Sequence, residues 1–348
     1  MSEKLGVGIH GAGWVSTQHI DAFKRNPHTK IVAISSRKLS SCEARAKEAG
    51  LTDVKFYTEY QKMLEQDDLD VVSICTPQHL HAREVIQAAE AGKHILIEKP
   101  AATSLEDLKA MRDAVRRAKV KTLVGFVLRW NPLFETIKSM IADDFLGNVY
   151  YVETDYQSHV GDWWSGWEWA QKKEIAVDSF LVAGCHGLDA LRWFAEKDRY
   201  KAANIAEVYS YAGGYRKGRD IDWPGFEVML VKFENGILGK VSSNFDCFQP
   251  YSFPISIFGD KGTIKENRVW SRKFPGQTGW VEIPTILPDT PEVTHHPFRG
   301  EVDHFVDCIL KETESHCNLE DAVNTHEAIF AAMISQERGE KVKLPLLK

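Results

Sequence analysis

The sequence predicts an N-terminal α/β domain of Rossmann type, followed by an α+β domain with a large open, mostly antiparallel sheet. Three observations predict it. Over residues 1–126, short apolar runs alternate with helical patterns, as a parallel sheet with crossover helices requires. The first of these runs leads straight into a glycine turn, Gly11-Ala12-Gly13-Trp14-Val15-Ser16. Beyond Phe126 that alternation gives way to period-two strands separated by tight-turn residues. A chain of 348 residues is too long for one ordinary core and suits two domains, 1–126 and 127–348.

In the first domain the expected strands are Leu5–Ile9, Lys30–Ser35, Val54–Tyr57, Val71–Cys75, His94–Ile97 and Thr122–Phe126. Val71–Cys75 is apolar on both faces, which marks a central parallel strand. The expected helices are Thr17–Arg25, Ser40–Glu48, Glu59–Gln66, His81–Ala91 and Leu105–Ala118. Ser40 and Ser104 have N-cap chemistry, and Gly50 and Gly92 stand where a helix C-terminus turns left-handed. In the second domain, Asn131–Ala142 reads as an amphipathic helix with Pro132 in its first turn, and Asp178–Phe194 as one further helix. Val149–Tyr156, Glu207–Ala212, Phe226–Phe233, Gly239–Phe245 and Ile255–Gly259 read as strands. A proline-rich loop over Thr285–Pro297 precedes helices at Glu301–Lys311 and Leu319–Glu337.

Composition narrows the function. A net charge of −6 argues against nucleic acid as a partner. There is no apolar run of bilayer length and no leader pattern before the first strand, so a cytoplasmic location and no membrane partner are expected. The six cysteines are scattered, without a C-x-x-C pair, and read as reduced thiols. His295-His296 has no ligand-spaced partner, so no metal site is expected.

The glycine turn is most of a dinucleotide fingerprint. Gly11 makes the tight turn, Gly13 lets the backbone approach a pyrophosphate, and the free N–H groups of the next helix meet its charge. Trp14 and Val15 lie in the same turn. The third glycine position holds Ser16, small enough for close helix–strand packing. The second strand ends at Ser36-Arg37, where an NAD binder commonly carries an acidic residue for the ribose. A hydroxyl and a guanidinium suit a 2′-phosphate better, so NADP is favoured over NAD. Further cofactor contacts are expected at Thr76-Pro77, His81 and Glu98-Lys99. Lys99 ends a buried strand, where a partly desolvated ammonium can hold a hydroxyl or carbonyl oxygen.

The ordered set Gly11-x-Gly13, Thr76-Pro77, Ala91-Gly92-Lys93-His94 and Glu98-Lys99-Pro100 resembles the Gfo/Idh/MocA oxidoreductases. The resemblance continues through Gly125-Phe126, Arg129 and Gly184-Cys185-His186-Gly187-Leu188-Asp189, so it covers nearly the whole chain. It implies NAD(P)-dependent hydride transfer at a carbinol or ketone carbon of a sugar, glycoside or cyclitol. It also implies a homodimer or homotetramer formed through the second sheet. By motif match, Lys99 and His186 are the catalytic pair: His186 takes the hydroxyl proton and Lys99 holds the oxygen. Two alternatives stay open: a glycosidase-like member that recycles bound NAD, and a nucleotide-binding regulator without turnover.

Many members carry an aspartate four residues before this histidine, where the present chain has Val182. Asp178, two helical turns away, and Asp189 are the acids that could take its part. The segment from His159 to Trp169 is rich in tryptophan, and tryptophans at a site rim stack on sugar rings. The expected substrate contacts are therefore Lys99, Arg129, His159, Trp163, Asp178 and His186. A packing plug is the alternative use of such tryptophans.

Overall fold

A computed structural model describes residues 4–161, 166–214 and 221–347. It divides into two compact units: Met1–Val127 with Val293–Ala322, and Leu128–Glu292 with Val323–Lys348.

The first unit begins β1 (Leu5–His10), α1 (Ser16–Arg25), β2 (Thr29–Ser35), α2 (Leu39–Glu48), β3 (Lys55–Tyr57) and α3 (Tyr60–Leu64). It continues β4 (Val71–Ile74), α4 (His81–Glu90), β5 (His94–Ile97), α5 (Leu105–Ala118) and β6 (Thr122–Val124). The strands form one parallel sheet in the order β3-β2-β1-β4-β5-β6. Strand order reverses between β1 and β4, the switch point at which open α/β sheets bind their ligands. All of β4 is buried, in keeping with its unbroken apolar pattern. Ser104 accepts from the Asp107 N–H and caps α5. Ser40 does not cap α2: the helix starts one residue earlier, after an extended Lys38.

The second unit holds α6 (Pro132–Ala142), β7 (Val149–Gln157), α7 (Trp167–Ala170), α8 (Lys173–Ala176), α9 (Cys185–Phe194) and β8 (Ile205–Gly213). It continues β9 (Phe226–Phe233), β10 (Leu238–Asn244), β11 (Ile255–Gly259), β12 (Gly262–Lys265), β13 (Arg268–Ser271) and β14 (Val281–Glu282). The chain then forms α10 (Phe298–Leu310), α11 (Leu319–Arg338) and β15 (Val342–Lys343). Nine strands make the second sheet, in the order β14-β13-β12-β11-β7-β10-β9-β8-β15. Pairing is antiparallel except between β7 and β10, as expected of a mostly antiparallel sheet.

Two expectations need correction. A single cut at 126/127 assigns α10 to the second domain, but α10 belongs to the first unit. There it buries Phe298, Val302, Phe305 and Val306, and its Asp303 accepts from Asn26 of the β1–β2 crossover. The helix expected over Asp178–Phe194 is two elements: a π turn over Phe180–Gly184, then α9. Among the described residues, no helix is long and apolar enough to cross a membrane.

Candidate active site

The carboxyl edge of the first sheet carries the glycine turn. Gly11 sits at φ +101°, and a Cβ there would lie 2.6 Å from the Cys75 carbonyl oxygen, so the residue must be glycine. A Cβ on Gly13 would meet nothing within 4 Å, leaving its backbone open to a ligand. The Ser16 hydroxyl, buried under the turn, donates to the Gly13 carbonyl at 2.7 Å. The N-terminus of α1 starts beside that open backbone, with no acidic side chain in the first turn to oppose an anion. Trp14 and Val15 are half-buried. These residues fit a dinucleotide pyrophosphate.

Sequence reading missed one cation here. Arg45 of α2 donates from Nε to the Ala12 carbonyl at 3.2 Å, so a guanidinium lies against the glycine turn. Its only sequence signal is a basic residue in the last turn of the second crossover helix. Ser36 donates its backbone N–H to Tyr57 O at 3.1 Å, and Arg37 beside it is exposed.

The neighbouring turns are braced from below. His10, at the end of β1, lies 2.6 Å from Ser35 Oγ and 3.0 Å from Glu84 Oε1, and stacks on Tyr60 at 3.9 Å. The Thr76 hydroxyl donates to the other Glu84 oxygen at 2.5 Å. His81 is buried and spans the Thr76 and Pro100 carbonyls at 2.9 and 2.8 Å. It ties the Thr76-Pro77 turn to the Glu98-Lys99-Pro100 turn. Glu98 is likewise buried, accepting from His19 at 2.8 Å, while Lys99 is half-buried.

In the second unit, the π turn delivers His186 into the first turn of α9. Gly184 is required there, because a Cβ would lie 2.4 Å from Ser243 Oγ of β10. His186 is buried, and its ring lies near-parallel to Tyr156 with centroids 6.4 Å apart. π turns inside helices recur at functional sites. Val177 precedes this one at φ +67° and ψ −65°, and the Asp178 N–H bonds back to Ala176 O at 2.9 Å. This is strained backbone for a β-branched residue.

Asp178 does not stand two α-turns before His186 on one helix face, because the π turn intervenes. Its Oδ1 accepts from the Leu181 N–H at 2.7 Å, and Oδ2 is buried without a hydrogen-bond partner among the described residues. Burial, with Glu227 nearby, holds the Asp178 carboxyl well above the usual range. Burial raises the Glu227 carboxyl too, while the bonds it accepts from the Ser179 N–H, the Ser179 hydroxyl and Gln336 pull it back down. A carboxyl raised on folding costs stability increasingly as pH climbs from its unfolded value to its folded one. Asp178→Asn removes that cost. Melting temperatures measured from pH 5 to 8 should therefore show a gap that widens in favour of the variant. A constant gap, or one favouring aspartate, counts against a raised Asp178 carboxyl.

Arg129 also needs correction. It is buried rather than placed at a substrate wall, and it clasps Asp189 through two bonds of 2.7 and 2.6 Å. Asp189 accepts the guanidinium with both of its oxygens. His159 is exposed, 3.3 Å from Cys247 O and edge-on to Phe248. Trp163 lies outside the described residues.

A glycine turn opening onto α1 at the carboxyl edge of a six-stranded parallel sheet is a dinucleotide-binding arrangement, and a second unit built on a nine-stranded sheet follows it in the chain. Residues 5–126 match the profile described as "Oxidoreductase family, NAD-binding Rossmann fold", and residues 138–344 the family's C-terminal alpha/beta domain. The chain belongs to the Gfo/Idh/MocA oxidoreductase family and is an NAD(P)-dependent oxidoreductase. It is 25% identical to scyllo-inositol 2-dehydrogenase (NAD(+)) of Bacillus subtilis, over 99% of this chain and 97% of the relative. It is also 25% identical to D-xylose 1-dehydrogenase (NADP(+)) 2 of Haloferax volcanii, over 97% and 99%. Among solved structures, scyllo-inositol dehydrogenase from Lactobacillus casei, with NAD(H) and scyllo-inositol bound, superposes with TM-score 0.79. That match has 20% identity and covers 98% of this chain and 99% of the other.

Proposed function

We propose that the chain oxidises a carbinol carbon of a sugar, glycoside or cyclitol, or reduces the matching ketone, using NADP in preference to NAD. The observation that carries this reading is the strand-end Lys99, braced by Glu98 and His81, in a chain whose relatives are named sugar and cyclitol dehydrogenases. A nicotinamide bound at the first sheet supplies the hydride acceptor. Lys99 holds the substrate oxygen and stabilises developing negative charge there. His186 accepts the hydroxyl proton during oxidation and returns it during reduction. Asp178 and His159 contribute to the substrate wall.

Supplying purified protein with either cofactor and a panel of sugars, glycosides and cyclitols tests the reading. It predicts accumulation of reduced nicotinamide with at least one member; no reaction across the panel with bound cofactor would leave the regulatory alternative.

Arg37 supports the cofactor preference, since an exposed guanidinium at the end of β2 can fork onto a 2′-phosphate. Arg37→Ala should weaken NADP by about tenfold to a hundredfold, the worth of a charge-assisted contact, and NAD by less than about threefold. Titration by nicotinamide fluorescence reads this; equal losses would remove Arg37 from the role.

The outward face of the second sheet supports a homo-oligomer. Tyr211, Leu230, Leu238 and Trp270 are all more than 40% exposed. Cross-strand register places Leu230 beside Tyr209, and Leu238 beside Tyr151. An open sheet face carrying these exposed apolar side chains favours a second copy of the chain. Leu230→Asp with Leu238→Asp should shift the mass measured by light scattering to that of one chain; an unchanged mass would place the interface elsewhere.

A further inference from the structure

We infer that the buried His19–Glu98 hydrogen bond is a positioning element that fastens the turn carrying Lys99 to α1, the helix that receives the cofactor pyrophosphate. It rests on the reading that Lys99 acts on the substrate oxygen, and it adds a link between that lysine and the cofactor side of the fold.

The geometry is contained in the first unit. His19 is fully buried on the inner face of α1. Its Nε2 lies 2.8 Å from Glu98 Oε1, and its Nδ1 lies 2.8 Å from Ser73 Oγ on β4. The other Glu98 oxygen accepts the Lys99 backbone N–H at 3.2 Å. One carboxylate therefore grips α1 with one oxygen and the backbone of the lysine with the other. Gly125 closes the space behind it, since a Cβ there would come within 3.4 Å of Glu98 Oε1. From the opposite side, His81 holds the Pro100 carbonyl. The residues on either side of Lys99 are thus held by side chains from different crossover helices.

Charge strengthens the grip. Burial alone would push the imidazole down, but Cys75 and Glu98 outweigh it and hold His19 well above its ordinary value. Burial alone would raise Glu98, but the bond from His19, with Lys99 and His81 nearby, holds it below. Both shifts run in the direction that favours an ionic pair, and a buried charge-assisted bond is stronger and shorter than a neutral one. Glu301 of α10 is the remaining ionisable neighbour. It is fully buried, its oxygens lack hydrogen-bond partners among the described residues, and burial raises its carboxyl well above the usual range against the pull of His19. A pair that served only packing could be replaced by apolar groups of similar volume with little loss.

Amide hydrogen exchange at Lys99 tests the inference without a substrate, using His19→Gln and His19→Asn with and without NADH. Glutamine keeps a donor near the Nε2 position, toward Glu98. Asparagine keeps only the position nearer Ser73. Lys99 exchange in His19→Gln should stay within about threefold of the unmodified chain. In His19→Asn it should rise at least about tenfold, the loss of one charge-assisted bond, while the amides of Val71–Ile74 hold their rates. NADH should slow Lys99 exchange in the unmodified chain and in His19→Gln but not in His19→Asn. Equal behaviour of the two variants, or a rise shared by Lys99 and Val71–Ile74, would overturn the inference. Should either variant fail to fold, Glu98→Gln takes its place: Lys99 exchange rises about tenfold over steady Val71–Ile74 amides, or the inference falls. Full activity in Lys99→Ala would instead overturn the catalytic reading, and leave the exchange result standing.

Discussion

Replacing Lys99 with alanine should lower turnover by about a thousandfold or more while NADH still binds. Positioning of the reacting oxygen and a charge aimed at a developing oxyanion are each worth about a hundredfold or more, and Lys99 is assigned both effects. Its strand-end position leaves the ammonium half-buried, where an electrostatic contact counts for more than in water. Cofactor affinity should change little, because the glycine turn, Arg37 and Arg45 stand on other strands and helices of the sheet. Single-turnover kinetics with a nicotinamide fluorescence titration would separate the two effects. An active variant, or one that has lost NADH, would remove Lys99 from the proposed role.

Asp189→Ala should cost about 3–5 kcal/mol of stability, because it leaves a buried guanidinium without its carboxylate. The pair is dry on both sides, with side-chain exposures of 1% and 2%, and bidentate. Exposed pairs such as Arg25–Asp21, at 61% and 54%, should contribute about 1 kcal/mol or less. Urea unfolding reads both. Replacing the two partners together, as Arg129→Met with Asp189→Leu, should recover much of the loss, since the penalty arises from a lone buried charge. If Asp189→Ala costs less than about 1 kcal/mol, the pair carries no such burden and Arg129 returns as a candidate for ligand binding.

The sequence made local pattern legible and hid what depends on distant contacts. Leu105–Ala118 and Phe226–Phe233 have the expected bounds because a cap residue marks the first and the Glu234-Asn235-Gly236 turn ends the second. The π turn at Phe180–Gly184 was invisible, since an apolar run reads the same with one extra residue per turn. The strands of two to four residues at Gly262–Lys265, Arg268–Ser271, Val281–Glu282 and Val342–Lys343 carry too few alternations to stand out. Arg129 and Asp189 sit 60 residues apart, so neither showed that the other would neutralise it. His19 left a signal that could have been read. Ser16, His19, Ile20 and Phe23 fall at i, i+3, i+4 and i+7 on one buried stripe, and a histidine in such a stripe needs a partner.

The central claim is that this chain moves hydride between a substrate carbon and the nicotinamide. Sugars and cyclitols carrying carbon-bound deuterium, incubated with the protein and NADP or NAD, test it most directly through the mass of the reduced cofactor. The account predicts reduced nicotinamide one mass unit heavier with at least one substrate, formed faster with NADP. Reduced nicotinamide without the label, or none across the panel, would contradict it.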